Sequence, residues 1–222
     1  VAPYIFISPF FVLFAIFMIY PIFYSLILSL HDVKGPQGGP FIGLRNYVEI
    51  FRTDRFRSAL GNTTTFAGGM LALTVVFGFV LALILDSPLI PGRRFFRLAY
   101  FLPILTSTVV AGAVFKLIYA DSPGGLLNST VAIFGVEPQR WIQGNAWALK
   151  SVIGLAMWRS LGLNVMYFLA GLQGLPSDVY ESATIDGANL LQKIWYLTVP
   201  LMRPVIGFVS VITLIHSYLV FT

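Results

Sequence analysis

A chain of 222 residues that is 57% hydrophobic and only 10% charged has too little polar side-chain chemistry to cover a globule in water, since ordinary soluble domains hold roughly a quarter charged residues. Its mean hydropathy of +0.84 points to lipid as the solvent. The formal charge of +5 does not signal nucleic acid, because the bases are dispersed over the loops rather than clustered on one face with aromatics between them, and the absence of cysteine excludes disulfides and thiolate metal sites.

Five apolar stretches follow one another, each near the ~20 residues that carry a helix across the hydrocarbon core. They run from about 4 to 30, 62 to 85, 96 to 119, 146 to 172 and 201 to 222. Backbone groups in lipid must be satisfied within the segment, so these are helices, and the fold class is all-α: a polytopic membrane helical bundle in one transmembrane domain. The first stretch holds Pro9 and Pro21 and the third holds Pro103, which a membrane bundle tolerates. The first has no basic leader region and no small-residue cleavage pattern behind it, so it reads as a span rather than a signal peptide. The chain begins at Val1 and stops in an apolar stretch at Thr222, and the expectation is that both ends are incomplete and a sixth helix is missing.

Between the first two spans a Gly/Pro turn, Gly35-Pro36-Gln37-Gly38-Gly39-Pro40, precedes a mixed apolar and charged segment, 44–60, expected as a short helix on the membrane surface. Arg93, Arg94 and Arg97 make the next loop basic, which favours the cytoplasm. The first loop is basic too, so orientation rests on alternation: with the Arg93 loop inside, the loop from Gln173 to Thr198 is also inside. The remaining loop, 120–145, contains Trp141, and Trp147 follows it; both read as interfacial anchors.

Catalytic constellations are missing from this sequence. It has no GxxxxGK[ST] run for nucleotide phosphates and no HExxH, and its two histidines, His31 and His216, are far apart. Every Asp and Glu falls in a loop or at a helix end, whereas a membrane protease or proton-relay pump needs such groups within the spans. These patterns point to a passive or externally driven pathway, with no cofactor and no metal on this chain.

The most informative segment is Tyr180-Glu181-Ser182-Ala183-Thr184-Ile185-Asp186-Gly187-Ala188, continuing to Leu197-Thr198-Val199-Pro200. Ser177 reads as the N-cap of a short helix with Asp178 and Glu181 early in it, where the macrodipole favours anions. Gly187 ends that helix, and a second short helix follows with Leu190/Ile194 and Leu191/Trp195 on one side. The spacing of Glu181, Ala183, Gly187 and Pro200 resembles the EAA loop of binding-protein-dependent ABC importers, with Ser182, Leu197 and Val199 as mild departures. Gly43-Leu44-Arg45-Asn46-Tyr47, Arg93 to Pro103, Gly125-Leu126-Leu127-Asn128, Trp158 and Ala170-Gly171-Leu172-Gln173-Gly174-Leu175-Pro176 extend the likeness to carbohydrate (maltose-type) permeases over nearly the whole chain.

The resemblance implies an ABC-importer permease fold with six core helices in the inner membrane of a prokaryote. Its partners are a second homologous permease, two copies of an ATPase subunit that carries the ATP and Mg, and an extracytoplasmic solute-binding protein. Glu181, Ser182, Ala183, Asp186 and Gly187 are then the ATPase-coupling residues. Polar groups in spans often mark a route, which singles out Arg159, Ser160, Asn164, His216 and Tyr218, and the likeness places Arg159, Ser160, Leu163, Ile212 and His216 near the substrate, so these seven are the candidate pathway residues. The bland readings are that Arg159 bonds backbone carbonyls where the fourth helix bends at Gly162, and that Lys116 snorkels to the interface. The cargo is a di- or oligosaccharide, with glycerol-3-phosphate or a glycerophosphodiester as the alternative. An ATP-independent secondary transporter and a membrane enzyme are the readings from other classes.

Overall fold

The computed structural model describes residues 2–35 and 38–220, with side chains from residue 4 onward. Pro36 and Gln37 of the Gly/Pro turn, and residues 221–222 of the fifth apolar stretch, lie outside the described residues. The chain forms two compact units that divide between Gly61 and Asn62.

In the first unit, α1 (Ala2–Phe14), a π-helical turn (Ala15–Ile19) and α2 (Tyr20–Ser29) follow without a break. From Tyr4 to Ser29 they give 26 residues apolar enough to cross a membrane. Pro21 explains the π turn. A proline ring in a regular α-helix collides with the carbonyl four residues back, and widening the preceding turn by one residue relieves it. Tyr20 accordingly donates its N–H five residues back, to the carbonyl of Ala15. The end of α2 is tied down by the Gly43-to-Tyr47 motif at the head of α3 (Arg45–Arg52). Asn46 Nδ2 donates to the carbonyls of Ser29 (2.8 Å) and His31 (3.1 Å), two terminal acceptors that the helix itself leaves unpaired. Tyr47 and Ser29 share a hydroxyl–hydroxyl bond of 2.6 Å.

The second unit is organised around α8 (Ala148–Gln173), a straight-through helix of 26 residues. Three of its glycines take one neighbour each: Gly154 meets the Tyr119 hydroxyl, Gly162 the backbone at Tyr100 and Phe101, and Gly171 the side chains of Met202 and Val205. Small residues at such contacts let membrane helices approach where no hydrophobic drive exists between them. The helix α4 (Asp54–Asp86) buries Phe66, Met70, Thr74, Gly78 and Ala82 at i,i+4 spacing. Phe66 and Met70 cluster with Ile153, and Gly78 abuts the Phe168 ring. Its C-terminal carbonyls are capped by arginines at the start of the next helix, with Arg97 donating to Leu85 O (3.0 Å) and Arg93 to Asp86 O (3.4 Å).

Where the sequence reading expects one third span, the structure has α5 (Arg93–Leu105) and α6 (Thr108–Ile118) set at 102°. Pro103 removes one N–H from the last turn of α5, and Thr106 and Ser107 then go extended, with ψ of 131° and 139°. The last stretch is also bent: Leu190–Leu201 meets α12 (Arg203–Leu219) at 65°, with Pro204 in the first turn of α12, where a missing N–H costs nothing. Val209 and Met202 join Val165, Phe168 and Leu169 of α8 in the main core.

The 120–145 segment folds around Asn128, which sits fully buried in α7 (Leu126–Ala132). Trp141 is buried beneath it and donates its indole N–H to Asn128 Oδ1 at 2.7 Å. The expected interfacial anchor is therefore a core residue. Trp147 packs edge-on against it, with ring centroids 4.9 Å apart.

Candidate functional site

The loop after α8 folds as two short helices, α9 (Ser177–Ile185) and α10 (Leu190–Lys193), the second running through a π turn (Ile194–Thr198) into α11 (Val199–Leu201). Ser177 is not the N-cap. Pro176 holds the extended cap position, and the Ser177 hydroxyl bonds to Asp178 Oδ1 at 3.2 Å. The proline favours an extended residue ahead of the helix and leaves the serine as its first turn. At the other end Gly187 adopts φ +79°. Ala188 donates to Ala183 O at 2.9 Å and Gly187 to Thr184 O at 3.1 Å, the two reciprocal bonds of a Schellman cap. A capping box follows at once: Asn189 Oδ1 accepts from the Gln192 N–H (2.9 Å), and Gln192 Oε1 from the Asn189 N–H (2.8 Å).

Both ends of the connector are thus closed by local chemistry, which fixes the angle between the helices. Glu181, Ser182, Asp186 and Gly187 lie exposed and Ala183 is half-buried. Ser182 returns its hydroxyl to Asp178 O (2.9 Å). The side chains of Glu181 and Asp186 have no hydrogen bond or ion pair among the described residues. Asp186, Gly187 and Ala183 also line a shallow hollow of about 360 Å³ with Gln192, Lys193 and Tyr196. The Asn189-x-x-Gln192 pair was readable from sequence as a helix start. The bond from the Tyr180 hydroxyl to Thr198 Oγ1 (2.9 Å) was not, because it joins residues 18 apart through tertiary folding.

Within the bundle, Arg159, Ser160, Leu163 and Asn164 all fall on α8, and Ile212, His216 and Tyr218 on α12, two helices that pack on each other. Asn164 is buried and donates to Ser160 O at 2.9 Å. Ser160, Leu163 and Ile212 are half-buried, and His216 and Tyr218 are exposed on their helix. Tyr218 shares a 3.3 Å bond with Thr64 Oγ1 of α4. Arg159 Nε and Thr213 Oγ1 are buried with no hydrogen-bond partner among the described residues. The helix runs unbroken through Gly162, and Arg159 Nε bonds no backbone carbonyl among the described residues.

A larger cavity, about 730 Å³, lies at the end of α8 away from the 177–200 loop. Asn62, Phe115, Lys116, Tyr119, Asn145 and Ser151 are among its lining residues, and none of the seven pathway candidates is.

Apolar helices of spanning length, with a capped two-helix loop at one end presenting unpaired carboxylates, are the build of an integral membrane transport subunit. Residues 74–221 match the family model for the binding-protein-dependent transport system inner membrane component, and the chain belongs to that family. It is 38% identical over 220 residues to the arabinooligosaccharides transport system permease protein AraP of Bacillus subtilis, covering 99% of this chain and 70% of that one. It is 32% identical to the lactose transport system permease protein LacF of Rhizobium radiobacter, over 98% of this chain and 72% of the relative. Among solved structures, a bacterial ABC transporter involved in the import of the acidic polysaccharide alginate superimposes with a TM-score of 0.83 at 25% identity, covering 99% of this chain and 74% of that one. The chain is therefore a permease subunit of a binding-protein-dependent ABC importer, an inner membrane component and not an enzyme.

Proposed function

We propose that this chain forms one half of the translocation pathway of a carbohydrate importer in a prokaryotic inner membrane. The carrying observation is the loop: a nine-residue helix, closed at Gly187, leaves Glu181 and Asp186 exposed with no hydrogen bond or ion pair among the described residues, which favours it as the docking element for a separate ATPase. Nucleotide and Mg belong to that partner, present in two copies, and a second permease and an extracytoplasmic solute-binding protein complete the complex. On this reading the whole chain is one transmembrane domain, with the 177–200 loop at its cytoplasmic face.

A di- or oligosaccharide is favoured as cargo by the names of the relatives, among them arabinooligosaccharide, lactose and trehalose/maltose permeases. Arg159, Ser160, Leu163 and Asn164 with Ile212, His216 and Tyr218 are the residues proposed to contact it. The unpartnered Arg159 Nε favours a second reading, an anionic solute such as glycerol-3-phosphate or a glycerophosphodiester. The test is ATPase activity of the reconstituted complex, screened with its own binding protein against arabino- and gluco-oligosaccharides and glycerol-3-phosphate. Stimulation by an oligosaccharide supports the first reading, and stimulation by the phosphate alone replaces it with the second. ATP-independent uptake by the permease alone would overturn both.

A further inference from the structure

We propose that Tyr180, Thr184, Lys193 and Thr198 are positioning residues for transport: they brace the two helices of the loop into one lever that ends at the base of the last membrane stretch. The inference rests on the importer reading above and assigns the brace a role in coupling that docking residues alone do not supply.

The four residues close a head-to-tail circuit. The Tyr180 hydroxyl donates to Thr198 Oγ1 at 2.9 Å, and the Thr198 hydroxyl donates to Lys193 O at 3.3 Å. Lys193 Nζ donates to Thr184 Oγ1 at 2.7 Å, and the Thr184 hydroxyl returns the proton direction to Tyr180 O at 2.7 Å. Each threonine hydroxyl accepts one bond and donates one, and the Tyr180 hydroxyl donates one, so no member competes with another for the same hydrogen. Two of the residues belong to α9, and two lie across the Gly187 turn, so both crossings tie one helix to the other.

Thr198 is the anchor of this arrangement, buried at the end of a π turn. That turn exists because Pro200 follows two residues later: Val199 donates five residues back to Ile194 O, as Tyr20 does ahead of Pro21. The wide turn loosens the helix between the loop and Met202, where the chain bends by 65° into α12. A push on α9 delivered through that stretch alone meets a compliant joint. The Tyr180–Thr198 bond bypasses the connector and lands the push directly on the joint, 18 residues further along the chain.

The experiment uses the full complex in proteoliposomes, with arabinotriose presented by the binding protein and uptake scored per ATP hydrolysed. Y180F removes the Tyr180–Thr198 bond, and T198V removes it together with the longer 3.3 Å bond to Lys193 O, each at almost unchanged volume. The expected result is a roughly fivefold lower uptake per ATP, the equilibrium effect of one hydrogen bond, with complex assembly and basal ATP hydrolysis unchanged. T198S restores the hydroxyl and returns the ratio to within about twofold of the parent, and the double variant is no worse than T198V alone. A solute-free arm reads the same brace: with the ATPase bound, amide-exchange protection reaches both loop helices in the parent but only 177–185 in Y180F.

A wild-type ratio in Y180F and T198V, T198S behaving like T198V, or failure of either variant to assemble would overturn the proposal, the last by making the bond one of folding. An unaltered complex with no binding-protein-dependent uptake of any screened solute would sink the importer reading, and this proposal with it. Normal uptake in the parent with protection of both helices in Y180F sinks the brace alone.

Discussion

A Cβ built on Gly162 would lie 1.9 Å from the carbonyl oxygen of Tyr100 and 2.9 Å from the Phe101 Cα, so α5 and α8 cross backbone against backbone. Backbone cannot move aside as a flexible side-chain end can, and over-packing of this kind costs about 1–3 kcal/mol or more. Gly162→Ala is expected to lower the melting temperature in detergent, and Gly162→Leu to prevent stable expression. Gly68→Ala on α4 meets nothing within 4 Å and serves as the control, with a melting temperature at or slightly above the parent's. Equal behaviour of the two alanine variants would show that the α5–α8 crossing is not as close as described.

Gly187 separates strain from bulk. Its φ of +79° is the left-handed region that side chains resist, yet no atom lies within 4 Å of where its Cβ would be. Within the chain, the cost of a substitution is therefore conformational, about 1–2 kcal/mol for an ordinary residue and less for asparagine. Gly187→Asn should keep most uptake, whereas Gly187→Val should distort the Schellman cap and uncouple transport from hydrolysis. Both should insert in the membrane and assemble at normal levels. Uptake by Gly187→Val equal to the parent's would count against the turn as part of the coupling element.

Much of this architecture was legible before the structure. The apolar stretches announce the membrane through length and composition alone, and Asp186-Gly187 announces the turn because only a few residues tolerate positive φ. What escaped is tertiary. Pro103 signals a disturbance in the third stretch, but the break falls three residues later at Thr106, where the chain turns by 102°. A tryptophan at a span end reads as an anchor, and nothing local reveals that Trp141 is buried under Asn128. In the candidate site, the capping box of Asn189 and Gln192 was open to local reading, while the Tyr180–Thr198 bond depends on how the two helices fold back on each other.

Asn128 carries the fold of the 120–145 segment. Its Nδ2 donates toward the carbonyls of Ser122 and Gln139 at 3.1 Å and Ala120 at 3.4 Å, while Oδ1 accepts from the Gln139 N–H at 2.9 Å and from Trp141 Nε1 at 2.7 Å. Leucine at this position leaves the buried Trp141 indole N–H and the part-buried groups around it unpaired, the buried one at a cost of about 1–3 kcal/mol. Asn128→Leu is expected to make the segment sensitive to protease and to red-shift the tryptophan emission as Trp141 becomes wet. Asn128→Asp keeps the acceptor but loses the donors and buries a charge, so it should be at least as damaging. A protease pattern identical to the parent's in both variants would mean that Trp141 and its neighbours hold the segment without the amide.

Arg159 and Thr213 test the pathway. Arg159 Nε and Thr213 Oγ1 are buried polar atoms without a partner among the described residues, and such atoms are rare unless water or a ligand completes them. If solute hydroxyls fill that role, Thr213→Val and Arg159→Met should leave the melting temperature at or above the parent's, since each removes an unpaired polar atom at similar volume. Uptake should nonetheless fall by about five- to tenfold, one hydrogen bond's worth at each position. His216→Ala belongs in the same series, because His216 is exposed on α12 within one turn of Thr213 and has no hydrogen bond or ion pair among the described residues. A set of three variants with raised stability and unchanged uptake would move the pathway elsewhere. The cavity of about 730 Å³ lined by Asn62, Lys116, Tyr119 and Asn145 would then be the next place to mutate.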